Sequence, residues 1–192
     1  MSNPLIIEHL GPNVVITFNR PEIRSPLSID ILEMLIEAVS NISDAEKLIF
    51  TGVGDVFASG ADLREIASVD GSTAREFAKR GQKLMDLIAS FPGRSIAAVN
   101  GYCFGGALDL ALACSFRIAS PDALFSHPGA NLGIMTGWGG TQRLPRIIGE
   151  AAAIELFLTA KRVTAAEALK MGLVNEVNPD PLSMAIDVDF GP

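Results

Sequence analysis

The stretch "SIAAVNGYCFGGALDLALAC", Ser95 to Cys114, constrains the fold more than any other part of the chain. A short apolar run of strand length exits through glycines into an apolar segment of helical length, the signature of a strand, glycine turn and helix. Such a unit belongs to an α/β domain. The surrounding region from Ile96 to Ala119 is apolar, but Asn100, Asp109, Arg117 and several glycines interrupt it, so it reads as buried core rather than as a membrane span. Asp109 is the anomaly, a carboxylate inside an otherwise apolar helix.

The flanking sequence repeats the alternation of strand and helix. Asn13 to Asn19 reads as a strand, and Ser28 to Val39 as a helix whose Ile31, Leu32, Leu35, Ile36 and Val39 share one face. Lys47 to Gly52 is a short buried strand. Thr73 and Glu76 have capping-box spacing ahead of a helix carrying Phe77, Gly81, Leu84, Ile88 and Phe91. Short strands follow at "FRIAS" and "ALFSH". Thr164 and Glu167 form a second capping box before a helix closed by Gly172, and "LVNEV" reads as a last strand. With 192 residues and no repeat, the chain reads as one domain.

Composition excludes several functions. The formal net charge of −7 offers no field for nucleic acid or an anionic membrane. Cys103 and Cys114 are too few for a disulfide framework and read as reduced. The N-terminal "MSNPLIIEHLGPN" lacks the pattern of a secretory signal, which makes the cytoplasm the expected location. Gly52 and Gly54 lack the third glycine of a dinucleotide fingerprint, and no Gly-Lys-Ser/Thr phosphate loop occurs. With His9 and His127 the only histidines, no cluster has metal-ligand spacing, and no metal or separate cofactor is expected. His127, at a strand end, reads either as a polar group lining a pocket or, more commonly for a lone histidine, as a surface or hydrogen-bonded structural residue.

Gly105 and Gly106, at the start of the apolar helix, are placed to present free backbone N–H groups to a substrate oxygen. A second N–H from "FASGADL" would complete an oxyanion hole. At this point a resemblance becomes specific. "FASGADL", "AAVNGYCFGGALDLA", "GWGGTQRLPRIIG" and "LTAKRVTAAEALKMGLVNEV", in this order from about Ile7 to Val177, are similar to the enoyl-CoA hydratase/isomerase, or crotonase, family.

The resemblance implies a crotonase-like spiral of repeated ββα units and an acyl-CoA thioester as ligand, coenzyme A being part of the substrate. It implies that the N–H groups of Ala61 and Gly106 hold the thioester oxygen. Ser59 and Ala61 would lie against the adenine, with Asp62 beside them and Gly105 at the turn. Arg64 either faces a coenzyme A phosphate or is a solvated helix residue, and Arg24 is a further candidate for the same anion. Family assembly implies a homotrimer or a dimer of trimers.

Family hydratases use two glutamates, and here the first position is Asp109, which becomes the candidate general acid/base. The second falls on Gly129, and a further place where relatives put a carboxylate falls on Gly137, beside Trp138 at the pocket wall. Ordinary two-carboxylate hydration is therefore not expected. The readings left open are an enolate-forming hydratase/isomerase-like enzyme, a non-catalytic acyl-CoA binder, a decarboxylase and a thioesterase. Residues 1–178 read as the core, and 179–192 as a short tail in place of most of the family's C-terminal helical region.

Overall fold

A computed structural model describes residues 3–189; the extreme ends of the two segments just delimited, 1–2 and 190–192, lie outside the described residues. The chain opens with β1 (Leu5–Leu10) and β2 (Asn13–Phe18), followed by β3 (Pro26–Leu27), α1 (Ile29–Asn41), β4 (Lys47–Gly52) and β5 (Val56–Ala58). Then come β6 (Gly60–Ala61), α2 (Leu63–Ser68), α3 (Ala74–Ala89), β7 (Arg94–Val99), β8 (Tyr102–Phe104) and α4 (Gly106–Ala113). The remainder is β9 (Phe116–Ala119), β10 (Leu124–Ser126), α5 (Gly140–Ile148), α6 (Glu150–Thr159), β11 (Val163–Thr164), α7 (Ala165–Lys170), β12 (Glu176–Val177) and α8 (Pro181–Asp187).

Three successive strand pairs generate the spiral. In β4–β5, β7–β8 and β9–β10 the first strand enters a six-stranded sheet of order β1-β2-β4-β7-β9-β12, and the second enters a four-stranded sheet of order β11-β10-β8-β5. Within these repeats all pairing is parallel. Parallel strands are covered on both faces and so carry continuous apolar runs. That explains why "SIAAV" is buried at every position although it has no alternation. The strand β1 escapes sequence reading for a related reason: it is an antiparallel edge strand whose Ile6, Ile7 and Leu10 are exposed, so no buried face marks it.

Most predicted elements are present. Ser28 caps α1 through Ile31 N, and the five expected apolar residues of α1 are its buried ones. The Thr164–Glu167 capping box is formed. The Thr73–Glu76 box is not. Asp70 displaces it: its Oδ1 accepts hydrogen bonds from the N–H of Ser72 and of Thr73 and from both hydroxyls, which turns the Thr73 side chain away from the helix.

The segment after Val177 is more than a bare tail. Pro181 occupies the first turn of α8, where a missing N–H breaks no helical bond. The helix covers the outer face of the six-stranded sheet, where Val15, Ile49, Ile96, Ala98, Ile118 and Ala185 form a second buried cluster. Lys47 Nζ donates to the carbonyls of Ala185 and Ile186 at 3.4 and 2.5 Å, placing a cation at the negative end of the helix. Among the described residues, no helix is long and apolar enough to cross a membrane.

This packing predicts that Ala185→Lys, which forces a long charged side chain into a slot sized for a methyl group, destabilises the protein by about 2–4 kcal/mol in urea unfolding. Unchanged stability would mean that α8 does not cover this face.

Candidate active site

The site is built where β6 meets the N-terminus of α4. Gly60, at φ +85°, is the residue that lets them meet: a Cβ there would lie 2.5 Å from Phe104 O and 2.7 Å from Gly106 N. Pairing with β3 in register Pro26↔Gly60 and Leu27↔Ala61 holds the other side of β6. Ala61 is thereby brought beside the first turn of α4, and the Gly106 N–H, in that first turn, has no acceptor within its own helix.

Above this junction lies a cavity of about 360 Å³. Its polar edge includes Ser59, Ala61, Gly105 and Gly106, while Leu63, Ile66, Val69, Phe77, Leu132, Ile134 and Met135 make most of the wall apolar. Trp138 is both wall and core. Its indole, nearly fully buried, packs on the Cα faces of Gly81 in α3 and Gly106 in α4, where any Cβ would collide with the ring. Phe77 stacks at a tilt against it, with centroids 5.7 Å apart.

Gly129 and Gly137 also line the cavity, but they differ in what they could accommodate. A Cβ at Gly137 would meet only the Ala78 Cβ, at an ordinary 3.6 Å, whereas one at Gly129 would lie 2.5 Å from Ile134 O. The turn that carries Gly129 is closed by a hydrogen bond from Ile134 N to Gly129 O, at 3.0 Å. Glycine at 129 is therefore tied to the local backbone path, whereas a Cβ at 137 would make an ordinary contact.

Three sequence candidates stand apart from the cavity wall. Asp62 caps α2 by accepting from Arg64 N and pairs with the Arg64 guanidinium at 2.7 Å. The hydrogen bond from Arg64 holds the Asp62 carboxyl below the usual value. The Arg64 side chain projects into solvent, 83% exposed. Arg24 sits in the left-handed region at φ 63° with its guanidinium 5.4 Å from the Tyr102 ring centroid.

Asp109 does not face the cavity directly. It is fully buried, one turn into α4, behind a wall formed by Thr136 and His127. Thr136 Oγ1 donates to Asp109 Oδ2. The other oxygen, Oδ1, has no hydrogen bond and lies 3.5 Å from His127 Nε2, which is equally unpaired. Glycine at 140 makes the room, because a Cβ there would run into Oδ1. Burial pushes the Asp109 pKa up to about 7, against the lowering effects of the Thr136 hydrogen bond, of the Arg143 charge and of the Trp138 backbone N–H. Burial also pushes His127 down to about 4.

Sequence reading missed Thr136 altogether, and for His127, where a pocket-lining role was one of two readings, it missed the contact with Asp109. The available signal lay in sheet register. The pair Phe104↔Ser126 places the next residues, Gly105 and His127, side by side at the same strand ends, and Gly105 N donates to Ser126 O at 2.9 Å. A single sequence does not display that pairing.

The two pKa shifts oppose each other in stability. Between 3.8 and 7 the native Asp109 holds a proton that the unfolded chain has lost, so its contribution falls as pH rises. Between 4 and 6.5 the native His127 lacks a proton that the unfolded chain binds, so its contribution falls as pH drops. In Asp109→Asn only the histidine effect remains. The stability of this variant relative to wild type is expected to rise by as much as about 4 kcal/mol between about pH 4 and pH 8 in urea melts, and parallel profiles would refute the buried charge balance. At the turn, Gly129→Ala is expected to cost about 1–3 kcal/mol and Gly137→Ala less than about 0.5.

The enoyl-CoA hydratase/isomerase family profile matches residues 13–185. A crotonyl-CoA hydratase of Syntrophomonas wolfei is 42% identical over 177 residues, 90% of this chain and 68% of its own length. A short-chain-enoyl-CoA hydratase of Clostridium acetobutylicum is 39% identical over 91% of this chain and 69% of its own length. The crystal structure of an enoyl-CoA hydratase from Thermoplasma volcanium superposes with a TM-score of 0.90 at 33% identity, over 95% of this chain and 74% of the other. Other curated relatives are spanned over as little as 58% of their length. With the spiral of paired strands and the profile covering nearly all of the sequence, the chain belongs to the enoyl-CoA hydratase/isomerase family.

Proposed function

We propose that this chain binds an acyl-CoA thioester with its carbonyl oxygen between the N–H groups of Ala61 and Gly106, and stabilises the enolate formed when a proton leaves the α-carbon. The observation that carries this reading is the approach of β6 to the N-terminus of α4 through Gly60, at the mouth of an apolar cavity. Peptide N–H groups fixed at a helix N-terminus stabilise developing negative charge on oxygen without reorganising. The relatives named for crotonyl-CoA and short-chain enoyl-CoA hydration support a thioester as ligand, and the apolar wall suits an acyl chain.

The proton capacity lies with Asp109, whose pKa near 7 suits proton exchange at neutral pH, together with the His127 that stands between it and the cavity. Gly129 offers no second carboxylate. The favoured chemistry is proton transfer at the α-carbon rather than water addition between two acids. Because Asp109 lies behind the wall, a reaction needing only the oxyanion hole, the loss of carbon dioxide from a malonyl-type thioester, is the competing reading.

The test is deuterium incorporation at C2 of butyryl-CoA in heavy water, followed by NMR. Incorporation is expected for the wild type and should fall at least about 100-fold in Asp109→Asn. Absence of binding would refute the thioester ligand, and binding without exchange would refute α-proton transfer. Carbon dioxide release from malonyl-CoA in that second case would establish the competing reading.

A further inference from the structure

We propose that His127 is the cavity-facing acid/base of this site and that Asp109 acts through it as a positioning residue. This deepens the enolate reading and rests on it.

Asp109 alone is poorly placed to meet a substrate, since Thr136 and His127 stand between its carboxylate and the cavity. His127 belongs to both environments: it lines the cavity, and its Nε2 faces Asp109 Oδ1 at 3.5 Å. These two atoms are buried and each lacks any other hydrogen-bond partner. Two unpaired buried polar atoms facing each other are satisfied together if Nε2 carries a proton directed at the carboxylate. That tautomer leaves the basic lone pair on Nδ1. A chain with glycine at position 129 thus carries an imidazole two residues earlier on the same wall.

The other groups around the pair leave it as the titrating unit. Cys103, beneath Asp109, is a buried thiol pushed well above its ordinary value and stays neutral. Phe157 presents only its ring, 5.1 Å from the imidazole. Arg143 acts on Asp109 through its charge alone, its guanidinium being bonded to Asp86 and to Trp138 O. Thr136 holds the far carboxylate oxygen.

The step balances within the pair. The α C–H bond breaks, the proton moves to His127 Nδ1, and the electron pair moves onto the thioester oxygen as the enolate. The positive charge on the imidazolium is opposed by Asp109, which faces Nε2–H. Exchange of the Nδ1 proton with solvent and its return to carbon completes the isotope exchange.

The experiment compares wild type, His127→Gln and Asp109→Asn by deuterium incorporation into butyryl-CoA across pH, with acyl-CoA affinity measured in parallel. His127→Gln should lose at least about 100-fold in exchange while its Kd changes less than about threefold. In Asp109→Asn the residual exchange should titrate at lower pH, because the imidazolium has lost its counter-charge. Wild-type exchange with undiminished exchange in His127→Gln would overturn the role of His127 and leave the enolate reading standing, whereas absence of exchange in the wild type would overturn the enolate reading itself. Should His127→Gln not fold, the titration of His127 in the wild type, resolved by NMR from that of His9, decides instead. A midpoint that matches the exchange profile supports the assignment, and one that does not match overturns it.

Discussion

Close approach of two backbones, at Gly60 and at the turn entering α4, is the constraint on which the rest of the site depends. A Cβ at 60 would strike Phe104 O and Gly106 N, and one at 106 would strike Trp138. The same indole needs Gly81 in the middle of α3, where glycine costs a helix about 0.5–1 kcal/mol relative to alanine. Burial of a large aromatic ring offsets that. Three missing side chains on three elements therefore fix one junction, and the ring that fills the space keeps α3, α4 and the cavity wall in register.

The second constraint is the carboxylate beneath that junction. A lone buried charge would be very costly, and Asp109 avoids that state in several ways. Thr136 bonds one oxygen, Gly140 leaves room for the other, and His127 faces it with a matching polar atom. Burial moves the carboxyl and the imidazole in opposite directions, towards their neutral forms, so the pair enters the core without adding net charge. The proton affinity of the carboxyl near neutrality follows from the same burial. The balance of charge in the core and the shifted proton affinities are consequences of one desolvation.

Legibility in the sequence followed the range of the interactions. Elements governed by local pattern, such as the amphipathic α1 and the capped α7, could be read from residues a few positions apart. Resemblance supplied the spiral and located Ala61, Gly106, Gly129 and Trp138, all of which line one cavity. What stayed hidden depends on pairing between distant segments. The facing of His127 onto Asp109 requires the β8–β10 register and the depth of Asp109, and neither has a local signature. The capping of α3 failed as a prediction because Asp70, three residues before Thr73, competes for the same hydroxyl. The segment after Val177 read as a short tail because of its two prolines, although Pro181 is suited to starting a helix.

The helix α4 also explains why an apolar segment can serve an electrostatic purpose. Its residues after Gly106 are all buried, so water does not screen its dipole along most of its length. The positive end opens on the cavity. The negative end meets the buried Arg117, whose guanidinium donates to Cys114 O and to Leu173 O, both at 2.7 Å. A cation at the C-terminus stabilises the helix and answers carbonyls that would otherwise be unpaired. Arg117, one of the residues that break the apolar run in the sequence, thereby anchors the far end of the helix whose near end opens on the cavity. Its position in β9, paired to β7 at Ala97, ties that anchor to the centre of the six-stranded sheet. The N–H of Gly106 is thus held by the core, and the loops above the cavity can vary without moving it.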